Sequence, residues 1–342
     1  MHRSPLVGAL EGMIRRRITA STLVLVTALS IGSIGVRAQD VPASRTRLIR
    51  VADSVQLEVV DWGGNGPILI MLAGLGHTAH VFDGFVHRLT PHLHVLGITR
   101  RGVGASSRPQ TGFDTTSLVG DLISVLDSLG LAKASFAGHS FAGSEMSVLA
   151  ARFPQRVERL IYLDSGFDYR QLLDRIGVAT ALGSPQPPPA SYSPWTVADW
   201  TIFAERSSGA GFPESEVRAM FRVGADGTVQ GPDRDPDTLR RMLDGIEPAP
   251  LTKIRAPTLA IYAAPTSAEV MYPSWYAFDD SARQRGRTVY AAVSAEHALQ
   301  RARFKREVVG SRQIIITGAR HYLFLTHPGE VANEILSFML GS

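Results

Sequence analysis

Ala137-Gly138-His139-Ser140-Phe141-Ala142-Gly143 sets a serine among small residues, after the strand-like run Ala134-Ser135-Phe136-Ala137 and ahead of the helical stretch Phe141–Ala151. A serine on so tight a strand–turn–helix needs small neighbours, because its backbone is strained and closely packed. Gly138 and Ala142, two residues before and after it, meet that need. Such a turn presents Ser140 Oγ at the carboxyl edge of a sheet and turns the Phe141 N–H into the same space. The helix beginning there adds positive potential for a developing oxyanion. The plainer reading is a serine capping an ordinary helix, and the heptapeptide alone does not decide between the two.

The surrounding pattern alternates strands with helices. Ile68–Leu72 and His94–Ile98 are continuous apolar runs, as in central strands buried on both faces. Arg47–Val51 and Gln56–Trp62 alternate apolar and polar, as half-buried strands do. Val157–Leu163, Thr258–Ala263 and Gln313–Thr317 add further strands. Helical spacing runs over Ala79–Leu89, Thr115–Leu129 and Pro328–Met339. The expectation is an α/β fold with a mostly parallel central sheet and helices on both faces. Residues 166–250 interrupt that rhythm with Pro185, Pro187-Pro188-Pro189, Pro194, Trp195 and Trp200, and with no good buried strand. So long an insertion reads as a helical lid, entered through a stiff proline hinge, between core parts at 39–165 and 251–342. A second, helical excursion spans Tyr272–Gly310.

A nucleophilic serine needs a base and an orienting acid. His321, in Gly318-Ala319-Arg320-His321-Tyr322, falls between the last strand and the last helix, which brings it to the same sheet edge as Ser140. His327 reads as a surface or capping residue, and His297 as a solvated one on the helical excursion.

With these residues in place the chain resembles the α/β-hydrolase fold family over residues 47–340. The resemblance rests on Ala73-Gly74-Leu75-Gly76, Thr99-Arg100-Arg101-Gly102-Val103-Gly104-Ala105-Ser106, Gly138-His139-Ser140, the lid insertion and Gly-x-x-His321, in that order. It implies Leu75 N–H as the second oxyanion donor beside Phe141. It also implies an acid between the serine and the histidine in chain order. Ala142 replaces the second glycine of the family's serine motif. The stretch after the penultimate strand, Ala263-Ala264-Pro265-Thr266-Ser267, holds no carboxylate before Glu269. Some relatives place the acid after the strand that follows the nucleophile helix. Asp164 in Ile161-Tyr162-Leu163-Asp164 matches that place and is the acid expected here. Glu269 is the alternative acid and Asp168 a weaker candidate.

Gly74-Leu75-Gly76-His77-Thr78-Ala79 also has the form of a dinucleotide-binding turn. No acid follows about 20 residues on, although Arg100 and Arg101 could imitate a site for an NADP phosphate. That reductase reading leaves Ser140 and His321 idle. Arg101 is better read as structural, and His77 and His80 as touching substrate or facing solvent.

The 342 residues are 44% hydrophobic and 19% charged, enough for a large core. With no cysteine, disulfides, thiolate metal sites and thiol nucleophiles are excluded. The net charge of +4 resides in the first 38 residues, which carry five of the 35 basic and one of the 31 acidic side chains. The remainder is balanced, which gives nucleic-acid binding no electrostatic support. Arg15-Arg16-Arg17, the uncharged run at 18–36 and Val36-Arg37-Ala38 read as an export signal cleaved before Gln39. An uncleaved anchor at 18–36 is the alternative. The expectation is an exported, periplasmic or secreted serine hydrolase acting on a small ester-type substrate, without cofactor or metal. Serine at the nucleophile position argues against relatives that use aspartate there, such as epoxide hydrolases. A non-catalytic binder of the same fold is the competing function. Nothing in the sequence sets the oligomeric state.

Overall fold

The computed structural model describes residues 44–170 and 195–341. The leader at 1–38 and the prolines at 185–194 lie outside the described residues.

The strands are β1 (Arg45–Ala52), β2 (Val55–Gly63), β3 (Ile68–Leu72), β4 (His94–Ile98), β5 (Ala134–His139), β6 (Val157–Leu163), β7 (Phe221–Val223), β8 (Val229–Pro232), β9 (Thr258–Ala264) and β10 (Arg312–Thr317). Eight of them form one sheet in the order β1-β2-β4-β3-β5-β6-β9-β10. Within this sheet only the pairings made by β2 are antiparallel; β4, β3, β5, β6, β9 and β10 run parallel. The helices are α1 (Thr115–Ser128), α2 (Ala142–Arg152), α3 (Val197–Ser208), α4 (Glu214–Met220), α5 (Thr238–Asp244), α6 (Asp280–Glu307) and α7 (Pro328–Leu340).

Side chains alternate across a strand, so each parallel strand feeds two cores. Ile70, Leu72, Phe136, Leu160, Tyr162 and Tyr262 point to one face, which is closed by Leu122 and Val125 of α1, Met146 and Leu149 of α2, and Val293 and Phe304 of α6. Leu69, Met71, Ala137, Ile161 and Ile261 point to the other, which is closed by Phe82, Phe85, Leu323 and Phe324 and by Val331 and Ile335 of α7. This is the doubly covered, mostly parallel α/β sheet that the apolar runs predict.

Two local expectations fail for identifiable reasons. The spacing over Ala79–Leu89 predicts one helix. The chain forms a 3-10 turn at Ala79–Phe82 and a single α turn at Asp83–Val86. Gly84 is a poor helix former, and the Asp83 carboxylate accepts from Trp62 Nε1 at 2.7 Å and contacts His80 Nδ1 at 2.9 Å. Those tertiary bonds override the local pattern. In the insertion, whose pattern reads as mostly helical with no good buried strand, β7 and β8 form a short antiparallel hairpin. Its turn carries Asp226-Gly227, with Gly227 at φ +81° and Asp226 Oδ1 accepting from Thr228 N at 3.0 Å. Asp-Gly between short apolar stretches is a hairpin signal, but strands so short leave little periodicity to read.

Candidate active site

β5 and β6 are adjacent and parallel, and each is followed directly by a residue with left-handed backbone. Ser140 has φ +52° and Asp164 φ +45°, and among the described residues they are the only non-glycines with positive φ. Such conformations cost on the order of 1–3 kcal/mol and persist only where surrounding bonds over-determine them. Here Ser140 N–H donates to Leu163 O at 3.2 Å, Asp164 N–H donates to Ile261 O at 2.8 Å, and the Ser165 hydroxyl donates to Ser140 O. A Cβ on Gly138 would come within 2.7 Å of Met146 Sδ and 2.9 Å of Ala142 Cβ, so the turn tolerates only glycine there.

The Asp164 carboxylate reaches the histidine expected to be the base. Asp164 Oδ2 lies 2.7 Å from His321 Nδ1, and Asp164 Oδ1 accepts from Ala263 N at 3.1 Å. Asp164 is 2% exposed. Burial opposes its ionisation, but the bond from His321, the neighbouring imidazoles and the Ala263 N–H overcome it and hold the carboxyl below the usual range. A charged Asp164 makes Nδ1 the protonated nitrogen of His321 and leaves Nε2 free as a base. The His321 side chain is 44% exposed, open to an incoming ligand. Among the described residues no hydrogen bond joins Ser140 Oγ to His321; such contacts are commonly loose without substrate and tighten with it.

The other candidates lie elsewhere. Glu269 is exposed on the turn Ala268–Met271. Asp168 pairs with Arg303 at 3.1 Å. His327 sits at the N-cap position of α7 without a capping bond from its side chain. His297 departs from its expected solvated state: it is half-buried, stacked on Phe167 with ring centroids 4.7 Å apart. Burial holds its imidazole below the ordinary value despite the pull of Asp164.

Leu75 follows β3, and Phe141 sits at the N-cap of α2. Neither N–H is spent on a protein acceptor among the described residues. Arg100 and Arg101 are committed to buried acids. Arg100 Nε donates to Glu145 and its Nη1 to Gly74 O at 3.1 Å; Arg101 Nε donates to Asp121 Oδ2 at 2.7 Å. Instead of a helix N-terminus for a pyrophosphate, the Gly74–Ala79 turn leads into the 3-10 turn. These facts remove the structural basis of the dinucleotide reading.

Three features escaped the sequence. His139 is buried, and its Nε2 donates to His321 O at 3.0 Å, tying the serine turn to the histidine loop. The buried Tyr169 hydroxyl has no well-formed hydrogen bond among the described residues, yet it lies beside the Ser140 and Ser165 hydroxyls. Burial pushes its phenol up. His77, expected to touch substrate or face solvent, is instead buried, with Nδ1 2.8 Å from Glu216 Oε1 and Nε2 2.9 Å from the Tyr322 hydroxyl. His80 is likewise held, by Asp83 and Glu58. Apart from His80–Asp83, three residues apart, these pairings join residues far apart in the chain and leave no local signal.

The profile of the alpha/beta hydrolase family matches residues 69–334. The chain belongs to the alpha/beta hydrolase family. It is 27% identical over 335 residues to an epoxide hydrolase A of Mycobacterium tuberculosis, covering 84% of this chain and 95% of that one. A 2-(acetamidomethylene)succinate hydrolase of Mesorhizobium japonicum is 26% identical over 101 residues, or 30% of this chain. That match spans only 36% of the relative's length. The crystal structure of an E-2-(acetamidomethylene)succinate hydrolase superposes with a TM-score of 0.63 at 16% identity, covering 87% of this chain and all of that one. An esterase from Exiguobacterium antarcticum gives 0.60 at 17% identity, covering 86% and 100%. At these identities the structural likeness is one of fold.

Proposed function

We propose that this alpha/beta hydrolase family member is an exported serine hydrolase that cleaves an ester-type bond in a small substrate through a covalent acyl-enzyme. The observation that carries the reading is the pairing of two strained residues on adjacent strands, Ser140 and Asp164, with Asp164 bonded to His321 at 2.7 Å. A fold has no packing reason to hold a serine and a buried carboxylate in left-handed backbone side by side; catalysis supplies one.

In this reading His321 Nε2 takes the Ser140 proton as Oγ attacks the carbonyl carbon. Asp164 fixes the imidazole tautomer and stabilises the imidazolium. The Leu75 and Phe141 N–H groups bind the tetrahedral oxyanion. His321 then protonates the leaving oxygen, and the acyl group stays on Ser140. Water, deprotonated by His321, attacks the acyl-enzyme and regenerates the serine. Serine at the strained turn favours acyl chemistry over that named for the epoxide hydrolase relative. The insertion acts as a lid, since Met242 and Ile246 pack with Phe141, and Leu75 and Tyr169 border the same apolar cluster. Residues 1–38 direct export.

The test is labelling with a fluorophosphonate, followed by peptide mapping. The expected result is a single adduct on the peptide carrying Ser140, lost in Ser140→Ala. Undiminished labelling of that variant, or an adduct elsewhere, sinks the assignment.

A further inference from the structure

The insertion does more than cover the site. Glu216, on α4, is fully buried, and its carboxylate spends both oxygens on the loop after β3. Oε1 lies 2.8 Å from His77 Nδ1 and accepts from Thr78 N at 3.1 Å; Oε2 accepts from the Thr78 hydroxyl. A carboxyl group so buried is stable only where hydrogen-bond partners converge on it, and each of these partners belongs to residue 77 or 78. His77 N–H closes the turn onto Gly74 O at 3.3 Å, which brackets Leu75 between two fixed points. On its far side, His77 Nε2 lies 2.9 Å from the hydroxyl of Tyr322, the residue after His321.

Two more side chains of the insertion press on the same loop. Phe212 packs edge-on against both His77 and Tyr322, with centroids 5.0 Å apart in each case. Leu239 of α5 sits 3.3 Å from where a Cβ on Gly76 would be, and Gly76 has φ +78°. The loop is thus gripped from the insertion by one carboxylate and two apolar contacts, and only the carboxylate gives direction.

We propose that Glu216 is a positioning residue for the oxyanion site: its carboxylate aligns the Leu75 N–H through His77 and Thr78, and braces the His321 loop through His77 and Tyr322. The proposal rests on the serine hydrolase reading. It makes the oxyanion site depend on the insertion, so that a shift of α4 would weaken binding of the transition state without touching Ser140.

The experiment compares wild type with Glu216→Gln, which keeps the size and replaces one acceptor oxygen by a donor. Three quantities are read: the rate of fluorophosphonate labelling, the affinity for an aryl boronate that forms a tetrahedral adduct on serine, and the affinity for the matching neutral aryl amide. The expected result is a parallel fall in labelling rate and boronate affinity, by about 10- to 100-fold, somewhat less than removal of an oxyanion donor itself, with amide affinity within about twofold. Glu214→Gln, an exposed position on the same helix paired with Arg218, should leave all three unchanged. Equal labelling and boronate affinity in Glu216→Gln overturns the proposal, as does an equal loss of amide and boronate affinity, which would mark a merely structural role. If Glu216→Gln does not fold, Thr78→Val removes one donor from the carboxylate and is read by the same split. Failure of wild type to label at Ser140 overturns the serine hydrolase reading and this proposal together. Labelled wild type with an unaffected variant overturns only this proposal.

Discussion

Ser140 and Asp164 share an unfavourable backbone conformation, which the proposed function puts to catalytic use. Ser140→Gly should therefore abolish turnover yet raise stability by about 1 kcal/mol, the relief of positive φ less the entropy of glycine. Chemical denaturation checks this, and a destabilised Ser140→Gly would refute the strain argument. Asp164→Asn should lower kcat by a large factor, on the order of 10⁴ where a serine triad has been dissected. Glu269→Gln, on an exposed turn, should be nearly silent; comparable losses in the two variants would remove Asp164 as the acid. His80 offers a pH test remote from catalysis. Burial would lower its imidazole, but the Asp83 and Glu58 carboxylates outweigh that and lift it to about 10. A histidine held above its unfolded value of 6.5 contributes stability that is complete below that value and lost as pH rises through 10. The stability gap between wild type and His80→Gln should thus be widest near pH 6 and shrink by roughly 1.4 kcal/mol per pH unit towards pH 10. A gap that is flat with pH would disprove the pairing. At this scale the sequence was readable where chemistry follows chain geometry. Asp164 follows an apolar strand, and a strand delivers its last residue to the sheet edge. Glu216 and Tyr169 lie in the insertion and at its start, where no such rule applies, and their contacts appear only after folding.

The central strands were legible because burial on both faces writes them as unbroken apolar runs: Ile68–Leu72, His94–Ile98 and Val157–Leu163 match their predicted bounds. The strand carrying the serine extends two residues further, to His139, because Gly138 pairs with Leu72 on one side and Tyr162 on the other. Elements that draw their stability from tertiary contacts were harder to read. The stretch at 79–89 has helical spacing but yields to the bonds of Asp83. The hairpin of β7 and β8 is too short for its alternation to register. Helix α6 shows the opposite case, a long polar helix fixed by a few anchors. Phe304 is fully buried and packs on Tyr162 with centroids 4.9 Å apart, in the wall behind the Asp164 strand. Phe304→Ala should cost about 3–5 kcal/mol. Measured by denaturant unfolding, a loss below about 1 kcal/mol would mean that α6 does not depend on this contact.

For the molecule as a whole, charge and compartment are one question. The excess of positive charge resides in residues 1–38, and the remainder is balanced. Among the described residues, which begin at 44, no helix is long and apolar enough to cross a membrane. The candidate export signal or anchor is the leader, where Arg15-Arg16-Arg17 precede the uncharged run at 18–36 and small residues flank Arg37. A cleaved signal and an anchor differ in what remains attached. Cleavage before Gln39 separates the basic leader from the balanced body. An anchor keeps a run of about the length that spans a bilayer when tilted, softened by Gly32, Ser33 and Gly35 near its end. Those residues break the apolar run just before a small–x–small site, which is the arrangement a signal peptidase requires. The expected outcome is a soluble protein outside the cytoplasm whose first residue, by N-terminal mass spectrometry, is Gln39. Replacing Ala38 by a bulky residue should block cleavage and hold the full-length chain in the membrane fraction. A wild-type protein found there with residues 18–36 intact would establish the anchor instead, and would put the proposed serine hydrolase site at a membrane surface.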